Sequence, residues 1–323
     1  MASIDTSAAF GVRAASAGVL DERVLEALHM RDPLGVVSLY VADRPASISE
    51  LMAHRHAETP AVRRALAELG RRVLRHPAHG HAVFFALTTG QVVDVALPLP
   101  VRASLALDEL ARVRPLLEAL DRGRPAGFVE LTSSRMTASE VRGHHVRTLD
   151  AVAVGASHGR RDRRGPRRAA PRLRAGAAGF AGAVGVLAGV RGWDVVVVAG
   201  PRAQADDFRR RFPAWRTTVV ALSATPHGRE RVARIADAVA AQRAGRAARL
   251  AADARRDPAT VWGVEGALDA LRDRRAAHVL LAGDLDPVHA ERIIREAVAH
   301  RARLTLARPG ALGISGVAAT ARA

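Results

Sequence analysis

Short apolar runs of strand length alternate with helical segments along almost the whole chain of 323 residues. Runs such as 36–41, 193–199 and 278–281 are rich in valine or leucine, and segments with helical spacing separate them. This alternation is typical of layered α/β domains. A chain of this length is long enough for two or three domains, each with its own core. The sequence therefore predicts an α/β protein with more than one domain.

Breaks in this alternation, together with the distribution of charge along the chain, predict three domains. The first is an α/β domain over 1–109, and the second is a middle domain over 110–222. The third, over 223–323, is a small α/β sandwich of about 100 residues, which is a common size for one domain. The alternation of strands and helices continues through all three.

Local patterns add specific predictions within these domains. The strand-like runs at 81–87 and 91–96 flank a Thr-Thr-Gly turn, which predicts a β-hairpin. A helix is predicted from about Leu110 to Leu120. Asp286 followed by Pro287 predicts a capped helix start. The last strand is predicted at 314–318.

Positive charge is concentrated in one third of the chain. The formal net charge is +17, and every basic residue other than histidine is an arginine. Residues 151–256 contain 22 arginines and seven acids, whereas 1–150 contain 18 and 17, and 257–323 contain nine and eight. High-GC coding explains why arginine replaces lysine, but it does not explain the clustering. Such clustering indicates a nucleic-acid or other polyanionic partner.

The densest part of this charge lies between Gly155 and Arg174, where eight arginines accompany a single acid, Asp162. The stretch has no apolar periodicity and precedes a buried helix predicted at 175–190, so 155–174 is predicted to be a long loop. Guanidinium groups match phosphate oxygens with a planar fork of donors. The predicted nucleic-acid-binding residues are Arg160, Arg161, Arg163, Arg164, Arg167, Arg168, Arg172 and Arg174. The alternative is a solvated loop without a partner.

The sequence argues against several other kinds of site. Without cysteine there is no disulfide and no thiolate nucleophile, and without lysine there is no Walker loop and no Schiff base. The histidine pairs at 79 and 81 and at 144 and 145 lack carboxylates at a metal-binding spacing and are predicted to be surface or turn residues. We therefore expect no metal and no small-molecule cofactor.

Composition also bears on location. The longest uncharged apolar run, 175–190, has 16 residues, fewer than the roughly 20 that span a bilayer, so we expect no membrane partner. The absence of cysteine is compatible with a reducing compartment. A cytoplasmic location is the expectation.

Five short motifs resemble bacterial proteins related to archaeo-eukaryotic release factors and Pelota. They are Trp-Gly-Val-Glu-Gly and the helix after it at 262–272, the strand at 278–281, the closing 313–319, the strand at 37–41, and the strand and turn at 193–201. The resemblance implies a variable N-terminal domain, a middle domain of RNase H-like topology and a C-terminal domain similar to kink-turn-binding ribosomal proteins. It also implies the ribosome or tRNA as a partner.

In active relatives a middle-domain loop carries Gly-Gly-Gln, whose glutamine orients a water against the peptidyl-tRNA ester. The equivalent segment here, 155–174, has no glutamine and no adjacent glycines, and Gly90-Gln91 lies in the predicted hairpin turn. We therefore expect an RNA- or ribosome-associated factor without hydrolytic activity and without a catalytic residue. One alternative is a peptidyl-tRNA hydrolase that uses His158 or a water held by the backbone. Another is a protein-interaction module whose basic loop binds an acidic partner or is disordered.

Overall fold

The computed structural model describes residues 22–42, 59–60, 62–63, 66–67, 79–132, 135–143, 145–153, 169–213, 217–222 and 230–321. These residues form thirteen strands in three sheets and seven α-helices, which confirms the mixed α/β class. Contacts divide the chain into two compact units, where the sequence predicts three domains. The described residues of the first unit lie within 22–123 and 246–321, and those of the second lie within 124–245.

An antiparallel sheet forms the N-terminal part of the first unit, after helix α1 (Glu22–His29). Its strands are β1 (Arg31–Ala42), β2 (Gly80–Ala86), β3 (Val92–Leu97) and β4 (Ser104–Leu110), in the order β3-β2-β1-β4. The predicted hairpin is confirmed as β2 and β3. Gly90 in its turn has a φ of +69°, a left-handed value that glycine adopts without a steric penalty.

Helix α2 (Arg114–Arg122) follows this sheet in the same unit. The predicted helix start near Leu110 is wrong, because Leu110 is the last residue of β4 and pairs with Arg31 of β1. A proline in the first turn of α2 fits the observed start, since that position needs no backbone donor.

The second unit is built around a five-stranded sheet. Its strands are β5 (Ala126–Leu131), β6 (Arg135–Arg142), β7 (His145–Ala153), β8 (Val195–Ala199) and β9 (Thr218–Leu222), in the order β7-β6-β5-β8-β9. β5, β6 and β7 pair antiparallel, whereas β5, β8 and β9 pair parallel. Parallel strands are buried on both faces, which explains the uninterrupted valines of β8.

Three helices belong to this part of the chain: α3 (Ala169–Arg191), α4 (Arg202–Arg211) and α5 (Glu230–Arg256). Phe180 of α3 and Phe208 of α4 join the core on one face of the sheet, and Ile235 of α5 joins the core on the other. The boundary between the two units falls within α5, after Gly245.

The C-terminal part of the first unit contains a third sheet and helices α6 (Val264–Arg272) and α7 (Pro287–Ala299). The strands are β10 (Val261–Trp262), β11 (Ala276–Ala282), β12 (Arg303–Ala307) and β13 (Val317–Ala321), in the order β10-β13-β11-β12. β11 and β12 are parallel. The predicted strand at 314–318 is wrong at its start, because Gly313–Ser315 form a 3-10 turn that ends at Gly316 with a φ of +61°.

The cap predicted for α7 is confirmed. The Asp286 carboxylate accepts hydrogen bonds from the backbone N–H groups of Val288 and His289, at 2.9 and 3.2 Å. These bonds satisfy two of the helix donors that have no partner within the helix. Asp286 therefore has a structural role as the N-terminal cap of α7.

One apolar core is shared by the N-terminal sheet, α2 and the C-terminal sheet of the first unit. Leu28, Tyr40, Leu116, Leu271 and Ile294 belong to it, and each is at most 2% exposed. An amphipathic pattern predicts that a face is buried but not which element covers it. The predicted first and third domains consequently appear as parts of a single compact unit.

Polar contacts also join these two parts of the first unit. The Arg114 guanidinium donates to the carbonyl oxygens of Gly283 and Leu285, and the Arg114 backbone N–H donates to Glu291 Oε1 at 2.9 Å. Glu291 is 6% exposed, and its Oε2 has no hydrogen-bond partner within the described structure. Burial raises the pKa of Glu291 and outweighs the backbone hydrogen bonds and the charges of Arg295 and Arg112.

We expect the stability of the protein to depend on pH through Glu291. A group whose folded-state pKa is raised contributes stability at low pH that is lost as the pH rises through the folded value. The unfolding free energy of the native chain should therefore fall between pH 4 and pH 8 relative to that of Glu291→Gln, which does not titrate. Urea denaturation of both proteins at the two pH values measures this difference. A constant difference would show that Glu291 is not the titrating group.

Candidate nucleic-acid interface

The predicted basic segment connects β7 to α3 along the chain. The described residues end at Ala153 and begin again at Ala169. The residues of the predicted site that lie outside them are His158, Arg160, Arg161, Arg163, Arg164, Arg167 and Arg168. Arg172 and Arg174 lie in α3. The predicted nucleic-acid-binding site therefore stays a prediction.

The predicted loop over 155–174 is wrong for its last six residues, because α3 begins at Ala169 and not at 175. Arginine and alanine are both strong helix formers, so a run of them extends a helix as well as a leucine-rich run does. Pro171 does not prevent this, because proline is tolerated in the first helical turn.

The C-terminal half of α3 is packed on one face only. Phe180 and Val184 are buried against the sheet, and a side chain at Gly185 would lie 2.3 Å from Pro213. Val186 and Val190, in contrast, are 67% and 59% exposed, so the predicted burial of this helix is confirmed for one face and wrong for the other. This packed face holds α3, the helix that follows the basic segment, against the sheet.

Most acidic side chains in the described part of the second unit are paired with arginines. The pairs are Glu130 with Arg231, Glu140 with Arg142, Asp194 with Arg243, Asp206 with Arg209 and Asp207 with Arg211, at N–O distances from 2.7 to 3.7 Å. Glu230 and Asp237 are exposed and have no arginine partner within the described ranges. The acids of this unit are therefore largely neutralised by arginines outside the basic segment.

The best-buried of these pairs is centred on Asp194, whose side chain is 11% exposed. Arg243 donates to it at 2.7 Å and also to the carbonyl oxygens of Arg124 and Pro125, at 3.2 Å each. Burial acts to raise the pKa of Asp194, but the hydrogen bond from Arg243 and the charges of Arg124 and Arg243 outweigh it, and the pKa is lowered. Arg243 is thus a structural residue of the unit.

One exposed arginine lies beside Ala153, the last described residue before the basic segment. Arg135 on β6 is exposed and pairs in register with Ala153, whereas Arg147, also exposed, lies near the start of β7. Neither has an acidic partner among the residues that the structure describes. Paired positions on neighbouring strands are about 5 Å apart. Sequence reasoning missed Arg135, because sheet register decides its proximity to the segment.

Other chemistry is not assembled in the described parts of the chain. They contain no group of three or more histidine, aspartate or glutamate side chains that could hold a metal ion. His81, predicted to be a surface histidine, is instead fully buried and contacts Asp94 at 3.0 Å, so that prediction is wrong. Both residues lie on facing strands of the hairpin, which explains the pairing. Among the helices described, none is long and apolar enough to cross a membrane.

Comparisons with known proteins give structural neighbours only. No protein-family model and no curated protein matches the chain. An archaeal translation termination factor, aRF1, is 18% identical with a TM-score of 0.26, covering 94% of this chain and 97% of its own. A model of ribosome-bound archaeal Pelota with ABCE1 is 15% identical with a TM-score of 0.45 and 94% coverage of both chains. Dom34 of S. cerevisiae is 7% identical with a TM-score of 0.42, covering 72% and 74%. These neighbours are of the kind that the sequence motifs resemble.

Proposed function

We propose that this protein is an RNA- or ribosome-associated factor that binds phosphate backbone through the basic segment between β7 and α3. One observation carries the proposal: six arginines with a single acid are concentrated in this segment and two more follow at the start of α3, while the described acids of the surrounding unit are mostly paired elsewhere. Uncompensated guanidinium groups attract polyanions and bind phosphate oxygens without reading sequence. Arg135 adds a positive charge on the sheet beside the start of this segment.

The ribosome and tRNA enter the proposal through the sequence motifs, which resemble release factors and Pelota. We take the chain to be a divergent relative without Gly-Gly-Gln, with a middle domain of RNase H-like topology and a kink-turn-protein-like C-terminal domain. The strand order β7-β6-β5-β8-β9 supports the RNase H-like topology of the middle domain. Such a factor would act in the cytoplasm, where translation takes place.

Loss of hydrolysis is the second part of the proposal. The segment equivalent to the catalytic loop has no glutamine to orient a water, and Gln91 lies beside the β2–β3 turn, where its backbone N–H donates to Thr89. The segment is thus assigned binding and not chemistry.

Co-sedimentation with ribosomes tests the binding. We expect the protein to sediment with ribosomes at about 50 mM salt and to be released at about 500 mM, because phosphate contacts release counterions. Sedimentation that is unaffected by salt would argue against phosphate contacts.

Single-turnover incubation with peptidyl-tRNA, with and without ribosomes, tests the absence of hydrolysis. The expected rate equals the rate without protein. Hydrolysis that is abolished by His158→Ala, with RNA binding preserved, would contradict our proposal and favour the hydrolase alternative.

A further inference from the structure

A cluster of basic and hydroxyl side chains lies at one end of the C-terminal sheet, in the first unit. The side chains of β11 and β12 alternate between two faces, and Leu280 and Ala307 pack beneath α5 on one of them. His278 is two residues before Leu280, and Thr305 is two residues before Ala307, so both lie on that face. Their side chains are in contact, with His278 Nε2 at 2.8 Å from Thr305 Oγ1.

Two arginines flank this histidine. Arg303 is the neighbour of His278 in the parallel register of β11 and β12, and Arg246 lies on α5, one turn before Leu250 in the same core. Both arginines are exposed, and neither has a carboxylate partner within the described residues. Burial, together with the charges of Arg303 and Arg246, lowers the pKa of His278 to about 4. The charges that act on the imidazole are therefore both positive.

The backbone at the same edge of the sheet supplies an independent observation. Arg274 and Arg301 are the two non-glycine residues with positive φ in the described chain, at 58° and 56°. Each follows the C-cap residue of a helix, α6 or α7, and precedes β11 or β12, which are adjacent parallel strands. Glycine is strongly preferred where a helix ends in the left-handed conformation. Non-glycine residues held in this region are concentrated at functional sites.

These observations describe a group of arginines at one end of the sheet, of which Arg246 and Arg303 have no carboxylate partner within the described residues. Two exposed arginines, Arg274 and Arg301, stand where glycine would fit the backbone better, and Arg246 and Arg303 adjoin a half-buried imidazole. The nearest acid on these turns, Asp273, is paired with Arg275 at 2.9 Å. An anion bound between Arg246 and Arg303 would accept hydrogen bonds from two guanidinium groups. Its negative charge would offset the positive charges that disfavour protonation of His278.

We infer that Arg246 and Arg303, beside His278 and Thr305, form a second phosphate-binding site, which receives a backbone phosphate of RNA. The identity of RNA as the source rests on the proposed function, whereas the anion site rests on the cluster alone. The site lies in the first unit and is separate from the basic segment of the second. It gives the near-neutral C-terminal third of the chain a specific part in binding.

Sulfate tests the anion site without RNA, because it remains a dianion across the pH range in which His278 titrates. In imidazole NMR titrations of the full chain, with the His278 signals identified by their loss in His278→Gln, sulfate should raise the pKa of His278 by about 1 to 2 pH units. Chloride at matched ionic strength should not. In Arg246→Ser/Arg303→Ser, sulfate should no longer change this pKa. No response to sulfate in the native chain, or the same response in the double variant, would overturn the inference.

RNA binding supplies the second arm of the experiment. A fluorescent single-stranded RNA should bind the Arg246→Ser/Arg303→Ser variant about tenfold more weakly than the native chain. The dependence of its affinity on salt should also be less steep, by the amount expected for the loss of about two phosphate contacts. The matched control is Arg256→Ser/Arg308→Ser, which removes the same charge from α5 and from the chain just after β12. The control should lose less than about twofold, and equal losses in both variants would reject RNA as the ligand.

The two proposals fail separately. If sulfate shifts the His278 pKa but the native chain binds no RNA, the proposed function is wrong and the anion site stands. If the native chain binds RNA through the basic segment and His278 does not respond to sulfate, the second site is wrong and the proposed function stands.

Discussion

Replacing Arg160, Arg161, Arg163, Arg164, Arg167 and Arg168 together with serine should weaken RNA binding by about a hundredfold or more at 0.15 M salt. Each guanidinium that contacts a phosphate releases a counterion, and six lost contacts remove most of this gain. The unfolding midpoint should change little, because substitutions away from packed elements have small effects on stability. Fluorescence anisotropy with a labelled RNA and urea denaturation measure the two quantities.

The matched control replaces the same six arginines with lysine. Lysine keeps each charge but lacks the planar fork, so most of the affinity should remain. Retained affinity in the serine variant would mean that the segment is a solvated loop and that the RNA, if bound, contacts another surface. A fall in the unfolding midpoint would mean that the segment is part of the folded unit.

Asp194→Ala should destabilise the second unit by about 3 kcal/mol, because it leaves the mostly buried Arg243 and Arg124, which are 14% and 18% exposed, without their carboxylate. The carboxylate has a lowered pKa in the folded state. Its contribution is therefore present above its ordinary pKa of 3.8 and is lost as the pH falls through the folded value. The difference between the two proteins in urea should be largest near neutral pH and should shrink in acid.

Asp207→Ala is the control for this prediction. Asp207 forms i,i+3 and i,i+4 pairs with Arg210 and Arg211 on the surface of α4, and such pairs contribute less than about 1 kcal/mol. If the two variants lose the same stability, the Asp194 network has no special role in the unit.

Local patterns in the sequence predicted the elements that short-range chemistry determines. The hairpin of β2 and β3 follows from alternating runs around a glycine turn, and the start of α7 follows from Asp286 and Pro287. Both depend on residues within a few positions of one another. The helical residues at 169–174 were missed because they show no apolar periodicity, which is the pattern that predicts a helix, although arginine and alanine favour helices.

Long-range packing could not be predicted in the same way. Asp194 and Arg243 are 49 residues apart, and no spacing rule connects them. Glu291 occupies an ordinary helical position in the sequence, yet α2 covers it and removes it from solvent. The shared core of the first unit has the same origin, since the first and last thirds of the chain each supply one apolar face.

The candidate site was predictable only as a concentration of charge. The segment between β7 and α3 is conspicuous because one sign of charge is repeated over a short stretch. Arg135 joins it through sheet register, and His278 with Arg303 forms its cluster through the pairing of parallel strands. Neither relation is visible before the strands are placed side by side.

The dependence of RNA affinity on salt tests the central claim most directly. The dissociation constant of the native chain for one unstructured RNA is measured from about 50 to 400 mM salt, and the logarithms are plotted against each other. Six phosphate contacts on a single strand predict a slope in the association constant of about −4. A slope near zero, with RNA still bound, would contradict the claim that this protein recognises phosphate backbone through its arginines.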